Sequence, residues 1–191
     1  MGNETHRSIR SNLLNHIEAL YRPGERDLAL TLVEALGCSV SDTGFMGDGT
    51  ESFLAIHPNP ADPDIRSNAF YISPMRPEQL ALEESITRLA RSDQVLAAAL
   101  EQYRNAARTL PFGVSHFGLR HASEDALLAA ADRVRSNLAQ KLGDRLHLRV
   151  FDPRDGERSG ATVVQGFVYQ DVIVSGSFNY GQLIELQSQP L

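Results

Sequence analysis

The sequence predicts an α+β fold built from two β-α-β-β-β modules joined by an inserted helical segment. Three observations predict it. Strand-like runs and one amphipathic helix follow in the same order before residue 76 and after residue 110. The halves align at a fixed offset, which matches His16 with His116, Glu25 with Asp125, and Leu28-Ala29 with Leu128-Ala129. Residues 76–108 differ from both flanks, being rich in Leu, Ala, Glu and Arg with helical spacing and no strand signal. The resulting division is a polar leader at 1–12, a first module at 13–75, a helical connector at 76–110 and a second module at 111–191.

The first strand is expected at Leu13 to Tyr21, ended by Arg22-Pro23-Gly24. A helix follows from Glu25 to Leu36, with Leu28, Leu32, Val33 and Leu36 on one stripe and Gly37 just past its end. Cys38 to Ser41 is a strand, and Gly44, Gly47 and Gly49 make a flexible connection. Glu51 to His57 and Asn68 to Ser73 are strands, separated by a Pro- and Asp-rich loop. In the connector Pro77 opens a helix, and Ser92-Asp93 marks a break or a fresh N-cap, so one or two helices are expected.

The second half repeats the plan. Val114 to Arg120 is a strand, and Ser123-Glu124-Asp125 opens a helix running to Leu142. Leu127, Leu128, Ala131, Val134 and Leu138 are expected on its apolar side. Leu146 to Phe151 is a strand, Asp152 to Gly156 a turn, and Ala161 to Ser177 one long or two short strands. Asn179-Tyr180-Gly181 reads as a hairpin turn before a last strand at Gln182 to Gln187.

Composition excludes several classes. The 191 residues carry a formal net charge of -6, which disfavours nucleic acid as a partner. No apolar run is long enough for a membrane span, and Met1 to Arg7 offers no signal-peptide core. One cysteine, Cys38, allows no intrachain disulfide, so a cytoplasmic location is expected.

Strand alternation sorts side chains into two faces. His116 shares a face with Gly118 and Arg120, Glu185 with Leu183 and Gln187, and His16 with Glu18. The opposite faces, such as Phe117 with Leu119 and Ile184 with Leu186, are apolar and suit packing on helices. The same parity puts His147, Arg149, Phe151, Tyr169 and Tyr71 with the ligand-type residues. His6, His57 and His121 lie near turns or the leader and are expected to be solvated.

The paired modules, the strand His116-Phe117-Gly118-Leu119 and the strand Gly181-Gln182-Leu183-Ile184-Glu185-Leu186 resemble the vicinal oxygen chelate superfamily, which includes glyoxalase, extradiol dioxygenases and bleomycin-binding proteins. The resemblance covers roughly residues 13–75 and 111–188. It implies two curved sheets forming a cup around a metal held by His16, His116 and Glu185. Asn68 to Ser73 has no Glu or Gln for a fourth ligand, so the three-ligand members are the nearer match. Fe(II) or Mn(II) would then be favoured over Zn or Ni, with open positions for vicinal oxygens. Glu18, Tyr180 and His147 are the candidate catalytic groups. Tyr71, Arg120, Arg149 and Tyr169 are the candidate substrate-binding groups.

The family's chemistry implies a metal-dependent enzyme acting on a small oxygenated molecule, dioxygenase-like first, with glyoxalase-like lyase, isomerase or thiol-transferase chemistry behind it. Ser175 stands where extradiol dioxygenases carry a tyrosine, which weakens the catechol-cleaving version. Two other classes stand beside the enzyme: a metal-free drug- or metabolite-binding protein using the same cup, and a scaffold that forms a homodimer through residues 76–108. Without a metal, His16 and His116 are ordinary strand histidines and Glu185 is a solvated carboxylate on an edge strand.

Overall fold

The computed structural model describes residues 17–44, 51–62, 68–155, 162–175 and 182–188. The fold is α+β, with four α-helices and two mixed sheets among the described residues. The first half runs β1 (Glu18–Tyr21), α1 (Arg26–Ala35), β2 (Ser39–Asp42), β3 (Leu54–His57) and β4 (Phe70–Pro74). The connector is two helices, α2 (Pro77–Ala90) and α3 (Gln94–Thr109). The second half runs β5 (His116–His121), α4 (Glu124–Leu142), β6 (His147–Phe151), β7 (Gln165–Gln170), β8 (Ile173–Val174) and β9 (Gln182–Ser188). The expected leader and the start of the first strand lie outside the described residues.

The helix boundaries have local causes. Pro77 occupies the first turn of α2, where its missing N–H costs nothing. Asp93 caps α3 by accepting from the Val95 and Leu96 amides, so Ser92-Asp93 is a true break. Ser123 caps α4 by accepting from the Ala126 amide, and Glu124 and Asp125 in its first turn complement the dipole. Gly37 follows α1 at φ 92, a left-handed conformation that glycine adopts without strain.

Both halves pair their strands alike. The first sheet has the order β2-β3-β4-β1-β8 and the second β5-β9-β7-β6. In each, the first strand of the half lies parallel to the last: β1 to β4, and β5 to β9. The burial patterns of the two halves align at a different offset. Glu18 corresponds to His116, Ala29 to Leu127, Leu32 to Ala130, Val33 to Ala131 and Leu36 to Val134. This is two residues short of the offset that aligned His16 with His116. Leu128, expected on the apolar side of α4, is 38 % exposed, while Ala130 and Leu142 are buried.

One core serves both halves. Ala19, Tyr21, Leu54, Ile56, Phe70 and Ile72 from the first sheet join α1, α4, Leu119 and Val168 in a single cluster. The Phe70 and Phe117 rings, one from each sheet, lie 5.0 Å apart. Each fully buried Leu or Ile here contributes about 1.5–3 kcal/mol. Arg133 of α4 donates to the Ala35 carbonyl at the end of α1, satisfying a helix-end acceptor across the module boundary.

A corner also stitches the halves together. Gln170 is fully buried. Its Oε1 accepts from the Val172 and Ile173 amides at 2.8 and 2.7 Å, and its Nε2 donates to the Ile173 carbonyl at 2.8 Å. This side chain replaces backbone partners while the chain leaves the second sheet. The next strand, β8, then pairs antiparallel with β1 of the first sheet. Arg145 adds a polar tie, reaching both Glu25 carboxylate oxygens at 2.8 and 2.9 Å and Asp171 at 2.6 Å.

Candidate functional site

The register of the second sheet places the candidate residues on one face. His116 pairs with Leu183, Gly118 with Glu185, Glu185 with Phe167, Arg149 with Phe167, and His147 with Tyr169. Directly paired residues share a face, so His116 and position 185 are diagonal neighbours on the face away from α4. Glu185 sits on an interior strand, between β5 and β7, rather than at an edge. His16 and Tyr180 lie outside the described residues.

That face is partly covered. Ala107 of α3 and Val114 pack on Phe151, Phe167 and Tyr169. Phe112 lies 5.4 Å from the Phe151 ring and 5.3 Å from Phe167. The His116 ring stands at the border of this cluster, 5.9 Å from Phe167. Its Nδ1 lies 2.7 Å from the Val114 carbonyl, which can only accept, so Nδ1 carries a proton.

The other predicted residues are dispersed. Glu18 is exposed, accepts from the Ser73 hydroxyl and pairs in register with Tyr71, whose ring stacks edge-on against Phe53. His147 Nε2 lies 2.8 Å from the Asp144 carbonyl. Arg149 donates to the Thr109 carbonyl and lies over the Phe151 ring. Tyr169 is buried, and that burial raises its pKa against the opposing pull of Arg108. Arg120 is exposed. Among the described residues, no three His, Cys, Asp or Glu side chains gather as a metal site.

The structure adds a cavity that strand patterns do not reveal. About 970 Å³ of space runs along β5, the edge strand of the second sheet. Ile17, Leu36 and Phe70 line it from the first half, and Phe117, Leu119 and His121 from the second. His116 and Arg120 also border it. Two histidines expected to be solvated are not: His57 is buried, and His121 is half-buried, its buried Nε2 without a hydrogen-bond partner among the described residues. Burial, then the nearby Arg133 charge, holds the His121 pKa below its usual value, so the ring stays neutral and able to donate or accept. The sequence signal for this residue was its odd position on the apolar face of β5, with Phe117 and Leu119.

No helix among the described residues is long and apolar enough to cross a membrane. Compared with known proteins, the chain matches no family model, no curated protein and no solved structure.

Proposed function

We propose that the protein binds a small, largely apolar metabolite or drug-like molecule in the cavity along β5. The carrying observation is the cavity itself: its size suits such a ligand, its walls come from both halves, and His121 Nε2 is an unsatisfied polar group within it. A ligand hydroxyl or carbonyl would satisfy that nitrogen while the apolar body packs on Phe70, Phe117 and Leu119. The test is saturable binding of an environment-sensitive dye, followed by displacement with a fragment library. Ala126→Phe, a substitution at a lining position, should abolish both. Unchanged dye binding and displacement in that variant would sink the assignment.

A second reading keeps the metal-dependent enzyme, and His116 favours it. A metal-binding histidine usually donates its other ring N–H to a carbonyl, as His116 does to Val114. In this reading the two modules form the cup, and His16, His116 and Glu185 would hold Fe(II) or Mn(II), with Zn or Ni as lesser options. His16 immediately precedes Ile17, which borders the same cavity as His116. The ion would supply Lewis-acid polarisation of an oxygenated substrate. Glu18, Tyr180 and His147 would handle protons, and Tyr71, Arg120, Arg149 and Tyr169 would orient the substrate. Elemental analysis after metal reconstitution separates the readings: stoichiometric metal that drops in His116→Ala and Glu185→Ala supports the enzyme, and none removes it.

A further inference from the structure

The cavity along β5 carries charge of one sign only. Arg120, Arg133, His116 and His121 line it, and among the described residues no aspartate or glutamate does. Cys38 lines it too, but burial pushes its thiol up to about 12, so it adds no thiolate. Two of the four basic groups are engaged. His116 Nδ1 donates to the Val114 carbonyl, and Arg120 has a partner of its own.

Arg133 is differently placed. Its Nε donates to the Ala35 carbonyl at 2.9 Å, which holds the side chain against the end of α1. A β-carbon built at Gly37 would stand 3.5 Å from Arg133 Nη2, so the guanidinium lies beside that glycine, which also lines the cavity. The Ala35 carbonyl offers only the partial charge of a helix end. The nearby carboxylates go elsewhere: Asp132 pairs with Arg135 at 2.9 Å and Glu124 with Arg154 at 2.6 Å. Glu34 and Asp125 are exposed and outside the lining. Among the described residues, Arg133 is therefore held by a carbonyl and bonded to no acid.

His121 belongs to the same corner. The Arg133 charge acts on it and is, after burial, the second cause of its lowered pKa. Its buried Nε2 has no partner among the described residues. A neutral ring protonated at Nε2 donates one hydrogen bond there. The terminal nitrogens of Arg133 supply the charged donors beside it.

We propose that the ligand of this cavity is an apolar carboxylic acid, its single carboxylate held by Arg133 and His121 and its hydrocarbon body packed on Phe70, Phe117 and Leu119. This rests on the reading of the cavity along β5 as a ligand site, and it names the chemistry of the occupant. One guanidinium without an acid matches one negative charge. A phosphate would bring a second charge, and Arg120 already has a partner. Arg133 is exposed, so the preference for an acid is a matter of several-fold and not of orders of magnitude.

The test is displacement of Nile red, an uncharged dye, from the full chain by molecules that share one aromatic body. These are naphthylacetate, naphthylacetamide, naphthylethylamine and naphthylmethylphosphonate. The acid should displace the dye about fivefold more tightly than the amide, with the amine weaker still. Arg133→Gln should bring the acid-to-amide ratio close to one, and His121→Leu should lower it. The ratio is read within each variant, so a general loosening of the fold moves both ligands together. The wild-type series decides alone if a variant fails to fold. Equal displacement by acid and amide, an unchanged ratio in Arg133→Gln, or tighter binding of the phosphonate overturns the carboxylate while leaving the cavity a ligand site. Absence of saturable dye binding removes both readings.

Discussion

Replacing Gln170 with leucine should be among the most damaging single changes that nearly conserve volume. The side chain is fully buried and makes three hydrogen bonds to the backbone of Val172 and Ile173. Leucine fills a similar space and satisfies none of them. Two amides and one carbonyl would be left at a corner where Val172 and Ile173 are themselves fully buried. Each orphaned group costs about 1–3 kcal/mol. Local relaxation recovers part of that, so a loss of about 3–5 kcal/mol is expected. For a chain of this length that lowers Tm by about 10 °C. Urea denaturation measures the loss, and hydrogen exchange should show deprotection centred on the Val172 and Ile173 amides. A loss below about 1 kcal/mol, or uniform deprotection, would refute the claim that this side chain builds the corner.

Three further outcomes are expected. Arg22→Leu leaves the Glu83 carboxylate, whose side chain is 4 % exposed, with the Gln79 amide as a donor but without its arginine, and should cost about 3 kcal/mol; adding Glu83→Leu should recover most of that, and equal loss in the single and double variants would show that the pair is not the joint. Burial and Arg133 favour neutral His121 in the folded chain, so stability should fall as pH drops below about 6.5, where the unfolded chain takes up the proton first. His121→Asn should flatten that slope between pH 7.5 and 5.5 in urea titrations, and an unchanged slope assigns it elsewhere. Burial pushes the Cys38 thiol up to about 12, so a thiol reagent at pH 8 should label native protein far more slowly than protein in denaturant; equal rates would contradict that burial.

Much of the fold was legible because periodicity reports burial. The apolar spacing in α4 and the alternation in β5 each follow from one buried face, so the α+β class and the order of its helices and strands could be read directly. The repeat offset misled because few residues are identical between the halves. Helix burial, which pairs Ala29 with Leu127, is the better ruler, and it places Glu18 opposite His116. Parity also put His116, Arg149 and Tyr169 on one face with position 185, since pairing across a ladder preserves alternation. What covers that face was not legible. Phe112 and α3 reach it through a connector whose path depends on tertiary packing. A second cavity, lined by Arg22, Arg88, Arg104 and Arg145, was hidden for the same reason, because its walls come from α2, α3, β7 and the segments that follow β1, α4 and β7, all distant in sequence.

The exchange of β8 bears on how such a molecule could be divided. A repeat whose copies each complete their own sheet can be cut between them, and each piece keeps its edges. Here the second copy lends a strand to the first, at Leu20 with Val174 and Tyr21 with Ile173. A protease nick in the exposed turn at Ser92-Asp93 would therefore not release two independent domains. The fragments would stay clasped, each incomplete without the other, as in a split reporter whose halves regain function only together.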